Sequence, residues 1–424
     1  VKKYSKKENS WVMYDWASSA YTLIITTAIF PIYFKSSATE AGIAGADSTA
    51  YLGYTIAIFT TILALLGPIM GTIADYEGLK KKFFSVFTAI GVTFTIALAL
   101  VPFENWLLLL IIYTFAALGA TGSNVFYDSF IVDVTTDERM AKVSARGYGM
   151  GYIGSLFPFI IAMAIIILSQ QGILPFAADT ASKIAFLITA AWWVIFSIPI
   201  FKNVKQIHFV PREPNPVAQS FKRLFTTFKE IRKYRAVFLF LLAYFFYIDG
   251  VGTIISMSTA YGTDLGLDST WLLGILFLTQ VIAAPFAFLY GHLAGKFGEK
   301  MMLYVGIFVY TIVCTYAYFM DSVTDFFILA MLVGTSQGGI QALSRSYFGK
   351  LVPKQNSNEF FGFYNIFGRF AAILGPLLVG VTAQVTGNSS TGVFSLIVLF
   401  IVGFIILRFV PEPDHHAPPV VVNE

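Results

Sequence analysis

The segment Gly71-Thr-Ile-Ala-Asp-Tyr-Glu-Gly-Leu-Lys80 returns 220 residues later as Gly291-His-Leu-Ala-Gly-Lys-Phe-Gly-Glu-Lys300, with Gly71, Ala74, Gly78 and Lys80 matched by Gly291, Ala294, Gly298 and Lys300. Each copy falls between the second and third long apolar runs of its half of the chain, so the repeat reads as the trace of a duplicated bundle. The first glycine permits close helix contact and the second a tight turn, while the lysines are expected to hold the loop at the cytoplasmic surface. A generic glycine-rich turn is the bland alternative, and it leaves the shared offset unexplained.

Around these loops the composition is that of a lipid-embedded chain. Of 424 residues 57% are hydrophobic and 12% charged, and the mean hydropathy is +0.72. A soluble domain covers its surface with roughly a quarter charged residues. Backbone amides cannot stay unpaired in hydrocarbon, and runs of about 20 apolar residues select helices over a barrel. The runs predict spans at 12–34, 50–74, 83–101, 106–133, 147–169 and 183–202, then at 236–260, 271–295, 301–320, 324–348, 359–385 and 390–410. The expected organisation is all-α: an N-terminal six-helix half (1–202), a cytoplasmic linker (203–235), a C-terminal six-helix half (236–410) and a cytoplasmic tail (411–424).

Basic residues resist translocation, so their placement orients the chain. Lys2, Lys3, Lys6 and Lys7 precede the first span, Lys80 to Lys82 follow the second, and Arg139, Lys142 and Arg146 join the fourth to the fifth. With the N-terminus inside, only Lys35 and Lys183 fall outside, and Arg369 lies within the eleventh span. Both termini are therefore expected in the cytoplasm, in a multi-pass protein of the plasma membrane. Asp15 and Trp16 interrupt the first run and no small-residue cleavage site follows it, which favours a retained helix over a signal peptide. The linker carries Pro211, Pro214 and Pro216 and then an amphipathic basic segment, Phe221 to Tyr234, suited to an anionic lipid surface. The net charge of +4 thus points to the bilayer and not to nucleic acid. The lone Cys314 allows no intrachain disulfide and no thiolate metal cluster.

The glycine, aspartate, second glycine and basic residues of the repeat resemble the signature loop of the major facilitator superfamily, with Gly295 in place of Asp75 in a degenerate second copy. Further segments narrow the resemblance: Tyr14-Asp-Trp-Ala-Ser-Ser-Ala-Tyr21 leading into Ile29-Phe-Pro-Ile-Tyr-Phe34, Tyr247-Ile-Asp-Gly-Val-Gly-Thr253, Ser336-Gln-Gly-Gly-Ile-Gln-Ala-Leu-Ser-Arg-Ser346, and Glu359-Phe-Phe-Gly-Phe-Tyr-Asn365 running on to Leu374-Gly-Pro376. Together they resemble the bacterial branch of the vacuole effluxer-like, or unknown major facilitator, family. The resemblance implies the twelve-helix facilitator fold and transport by alternating access. It implies amino acids only weakly, through yeast relatives linked to their release from the vacuole, and Asp128 in Phe126-Tyr-Asp-Ser-Phe130 stands where a small neutral or amide residue is expected.

Ionisable groups inside spans cost at least about 2.5–3.5 kcal/mol each at the bilayer centre, so they point to function. Asp249 and Arg369 reach middle depths of the seventh and eleventh spans, where they can meet in an ion pair, structural or open to substrate and proton. Asp15 is followed by Ser18, Ser19, Thr22 and Thr26 at helical spacings. The fourth span offers Asn124, Tyr127 and Asp128, and the tenth Gln337, Gln341, Ser344 and Arg345. In the facilitator fold spans one, four, seven and ten line the central cavity. Candidate substrate or proton ligands are therefore Asp15, Ser19, Thr22, Asn124, Tyr127, Asp128, Tyr247, Asp249, Gln337, Gln341 and Arg369. Tyr14 and Tyr21 are singled out beside Tyr127 and Tyr247 because each neighbours a polar wall residue. Asp133, Arg139, Arg146 and Arg345 are placed near the cytoplasmic boundary, either simply solvated or joined with Asp75 in gate ion pairs. Gly71, Gly78, Lys80, Gly291 and Gly298 belong to the same gate.

His208, His292, His415 and His416 all fall outside the span interiors, and neither a His-Glu-x-x-His helix nor a phosphate-cradling loop occurs, so no enzyme, metal or cofactor is expected. The expected activity is secondary transport of a small polar solute by a monomer, either coupled to protons through Asp15, Asp128 or Asp249 or by facilitated diffusion. An amphiphile, lipid or drug exporter and a non-transporting sensor or scaffold are the alternatives; the polar cavity walls favour the first reading.

Overall fold

The computed structural model describes residues 3–211, 216–229, 233–264, 269–320, 322–386 and 389–412. The tail beyond 412, with His415 and His416, and the linker stretches 212–215 and 230–232 lie outside the described residues. Among the described residues twelve helices are long and apolar enough to cross a bilayer: α1 (Lys6–Glu40), α2 (Asp47–Ala74), α3 (Leu79–Leu100), α4 (Trp106–Ser129), α5 (Asp137–Gln170), α6 (Ala178–Asn203), α7 (Arg235–Ser256), α8 (Gly274–Phe297), α9 (Glu299–Phe319), α10 (Val323–Leu351), α11 (Lys354–Thr386) and α12 (Ser390–Arg408). Each overlaps one predicted span. Most differences sit at polar ends, where hydropathy carries no signal; α4 instead stops at Ser129, short of the predicted 133, and the apolar residues that follow form a separate short helix, Ile131–Val134. Helix α1 starts at Lys6 because Ser5 and Glu8 form a capping box that satisfies the first amides, and α5 adds the polar turns Asp137 to Arg146 ahead of the apolar run.

Residues Tyr21–Ala28 of α1 form a π-helix. The wider turn lets the Thr27 hydroxyl donate to the Thr22 carbonyl at 2.9 Å. Such segments are rare and recur at functional sites; this one faces the central cavity described below.

Within the first six helices α1 packs on α5 and α6, and α3 on α4; within the last six α7 packs on α11 and α12, and α10 on α8 and α9. Two seams join the sets: α2 against α11, and α5 against α8 and α10. The first glycine of each repeat lies in one of these seams. A Cβ on Gly71 would run into the Asn358 carbonyl oxygen, and one on Gly291 into the Ala145 side chain. The second glycines, Gly78 and Gly298, have φ of 73° and 85°, positive values that disfavour any side chain. The four glycines therefore serve matching purposes.

Gly71→Val is expected to force the α2–α11 seam apart. Distances between spin labels at Lys82→Cys and Gln355→Cys, in a Cys314→Ser background, should then lengthen relative to the same pair with Gly71 intact; an unchanged distribution would refute the seam's role.

Candidate functional site

A cavity of about 450 Å³ lies between the two helix sets. Its wall comprises Asp15, Ser18, Ser19 and Thr22 from α1, Asn124, Tyr127 and Asp128 from α4, and Gln337, Gln341 and Arg345 from α10. These come from three of the four spans expected to line it. Helices α5, α8 and α11 contribute as well, through Tyr148, Tyr152 and Ser155, Thr279 and Gln280, and Tyr364, Asn365 and Arg369. Sequence reading missed the tyrosines because an aromatic residue in an apolar span reads as packing or interface belt.

Helix α7 supplies Tyr244 to the wall, not Tyr247 or Asp249. Tyr247 is buried behind it, its hydroxyl 2.6 Å from that of Ser344. The ion pair open to Asp249 and Arg369 is not made. Asp249 is 0% exposed and accepts from the Gly375 amide at 2.9 Å and the Thr253 hydroxyl at 3.4 Å. It ties α7 to α11 just before Pro376 and does not face the cavity. Tyr14 is likewise internal, bonded to Thr88 and Ser123, and the buried Tyr21 hydroxyl has no partner among the described residues.

The end of the cavity nearest the repeat loops is closed by Arg345, for which the sequence left open solvation at the boundary or a gate ion pair with Asp75. It is 2% exposed and ion-paired, though not with Asp75. One guanidinium nitrogen donates to Asp15 of α1 at 3.0 Å and the other to Asp128 of α4 at 3.1 Å. Nε donates to the Ser144 hydroxyl of α5 at 2.9 Å. The rings of Trp11 and Tyr148 each lie 4.5 Å from the guanidinium carbon, adding cation–π attraction. A residue of α10 thus holds three helices of the other set through a planar fork that only arginine provides. Asp15 and Asp128 are the two candidate carboxylates brought together, 113 positions apart in the chain.

Beyond this cluster the loop face is shut by a second polar layer. Asp75 follows α2, and its Oδ1 accepts from the Asn358 backbone and side-chain N–H groups, both at 2.9 Å. Its Oδ2 receives the Glu359 amide at 3.3 Å and Arg223 of the linker helix Pro216–Lys229 at 3.4 Å. Asn358 and Glu359 begin the helix Ser357–Thr386, so the carboxylate also sits at the positive end of a helix dipole. Lys80 does not hold the loop at the surface as expected. It is 0% exposed and reaches Asp133 at 2.7 Å, the Ser357 hydroxyl at 3.0 Å and the Ser129 carbonyl at 3.3 Å. Burial acts to raise the Asp133 carboxyl, but Lys80 and the His208 bonds outweigh it and hold the group below its ordinary range. Arg139 and Arg146 engage Glu8 and Asn9 rather than Asp75.

In the second repeat Gly295 has no side chain to accept a hydrogen bond, and among the described residues Lys300 caps the Arg408 and Val410 carbonyls. The neighbouring Glu299 pairs with Lys350 at 3.1 Å. The two copies share a glycine of positive φ but not its ψ, which is 3° at Gly78 and 150° at Gly298, and they differ in electrostatics.

Burial pushes the Asp75 carboxyl up to about 7, with Glu359 adding to the rise and Arg223 and Lys80 opposing it. A carboxyl freed into water titrates near 3.9. The shut contact therefore holds a proton that the opened loop releases, and its stability is greatest at acid pH and lost as pH rises through about 7. The short-distance population of the Lys82/Gln355 label pair is expected to grow between pH 8 and pH 6. Asp75→Asn, which mimics the protonated group, should flatten that dependence; an unaltered pH profile would count against Asp75 as its source.

Comparison with known proteins places this arrangement. The family described as vacuole effluxer Atg22-like matches residues 4–138 and 132–415. The uncharacterized MFS-type transporter YxiO of Bacillus subtilis (strain 168) is 64% identical over 412 residues, covering 97% of this chain and 96% of the relative. Autophagy-related protein 22 of Saccharomyces cerevisiae (strain ATCC 204508 / S288c) is 27% identical over 289 residues, 59% of this chain and 53% of that protein; the match spans about half of the fungal chain. Among solved structures, the proton:xylose symporter XylE superposes with a TM-score of 0.71 at 12% identity, covering 96% of both chains. FucP in its outward conformation gives 0.67 at 13% identity, over 96% of this chain and 98% of that one. At such identities the likeness is one of fold.

Proposed function

Because the chain belongs to the vacuole effluxer Atg22-like family and is a transporter of the major facilitator type, we propose that it carries a small polar solute, with amino acids the favoured class, by alternating access through this cavity. The observation that carries the reading is Arg345, which closes the end of the cavity and fastens the two helix sets in one contact. A solute that draws on Asp15, Asp128 or Arg345, or a proton on either carboxylate, loosens the fastening. Occupancy and rocking of the halves are thereby coupled. In this reading the repeat loops and both termini face the cytoplasm of a plasma-membrane protein, as the basic residues require, so the structure is open outward. The polar walls suit a hydrophilic solute better than an amphiphile.

The test is a thermal-shift screen of purified protein against amino acids, short peptides, sugars, nucleosides and amphiphiles, followed by flux of each hit into vesicles with and without a proton gradient. Binding to the folded state raises apparent stability. Saturable flux of an amino acid is the expected result. An amphiphile as the one solute carried, or no solute bound or carried, would defeat the proposal.

A further inference from the structure

Resting on that reading of the cavity, we infer that the solute carries a carboxylate and that Arg369 is its anchor. Arg369 is a second guanidinium in the cavity wall, and unlike Arg345 it has no ion-pair partner among the described residues. Its Nε is buried without a hydrogen-bond partner. The candidate counter-ion, Asp249, is turned away to the Gly375 amide, and Asp128 is already held by Arg345. The groups acting on Arg369 electrostatically are Tyr244, Tyr113, Asp128 and Tyr21, three of them neutral phenols. A cation inside a membrane protein, without an anion of its own and facing the solute cavity, is a vacancy for an anion from outside.

Charge and shape narrow that anion. The Arg345 cluster, two carboxylates to one guanidinium, carries a net negative charge, and Arg369 is a separate positive group in the same cavity wall. A dianion such as a phosphate monoester would enter with excess charge. A single carboxylate meets the guanidinium fork through two parallel hydrogen bonds. The opposed charges further suit a zwitterion, with carboxylate at Arg369 and ammonium toward Asp15 and Asp128. Neutral sugars and nucleosides leave Arg369 uncompensated and are expected to be rejected, because a buried charged group left unpaired weighs against binding.

The experiment uses the full chain, purified and in vesicles, with alanine, leucine and phenylalanine, each beside its amide and its deaminated acid, and with xylose and uridine. At least one acid is expected to bind and be carried, with its amide weaker by roughly ten- to hundred-fold, the range of a charged hydrogen bond. Arg369→Gln should bring the acid down to the affinity of the amide, and Arg369→Lys should restore part of the difference. Equal binding of the deaminated acid would identify a simple carboxylate, and weaker binding a zwitterion; both sustain the assignment. The acid-to-amide ratio in the unaltered protein needs no variant, so loss of folding in Arg369→Gln does not spoil the test. An amide or neutral solute carried as well as the acid, with flux indifferent to Arg369→Gln, overturns the carboxylate anchor while the transport reading stands. No flux of any probe overturns both.

Discussion

Arg345→Gln is expected to abolish flux and to destabilise the protein by about 3–5 kcal/mol, the range for removing one partner of a buried ion pair. The loss follows from what remains. Asp15 and Asp128, each 14% exposed at the side chain, would face one another with no cation between them. Glutamine can donate to one carboxylate but cannot neutralise two. Arg345→Lys is not expected to rescue, since a single ammonium cannot fork to both acids while remaining between Trp11 and Tyr148. The combined Asp15→Asn, Asp128→Asn, Arg345→Gln variant should recover much of the stability without recovering flux. Thermal unfolding and vesicle uptake measured on the same preparations separate the two effects. Flux near normal in Arg345→Gln would remove this residue from the mechanism.

Lys80→Met and Lys300→Met, equivalent positions of the repeat, are expected to behave unequally. The Lys80 ammonium and the Asp133 carboxylate are both 0% exposed, so deleting the ammonium strands a buried charge, again at about 3–5 kcal/mol. Asp133 keeps amide bonds from Ile207 and His208 at 2.9 and 2.8 Å, which places the effect toward the lower end. Because Lys80, in the first turn of α3, also bonds Ser357 of α11 beside the α2–α11 seam, its removal should open the loop face, lengthen the Lys82/Gln355 distance and slow transport at least about ten-fold. Lys300 caps two carbonyls and holds no buried anion, so its loss should amount to about 1 kcal/mol with little change in conformation. Equal effects at the two positions would show that the buried Lys80–Asp133 pair does not set the two loops apart.

Much of the fold could be read directly. All twelve spans overlap predicted ones, because an apolar run of membrane length leaves a helix little alternative. The repeat glycines also fell where expected, since φ above zero and a missing Cβ are demands on one residue. The candidate cavity residues on α1, α4 and α10 were legible for a related reason: polar groups spaced along an apolar span have few places to go but inward. For Arg345 the sequence left solvation and a gate ion pair both open, and only the packing of α1, α4 and α5 around it removes the water and supplies Asp15 and Asp128 as partners. Asp249 was misjudged, because depth in a span does not say which side of the helix the carboxylate leaves from.

What the sequence determined by itself is therefore a twelve-helix facilitator with a duplicated loop and a polar interior. These follow from hydropathy, backbone conformation and spacing, which act locally along the chain. Only the tertiary structure decided which charges meet: Arg345 with Asp15 and Asp128, Lys80 with Asp133, Asp75 with the start of the helix that opens at Ser357, and Arg369 with none of the described anions. Such pairings depend on distances of a few ångströms between residues hundreds of positions apart. Coulomb attraction and hydrogen bonding fall off over that same scale, so which charges pair emerges only when the helices pack.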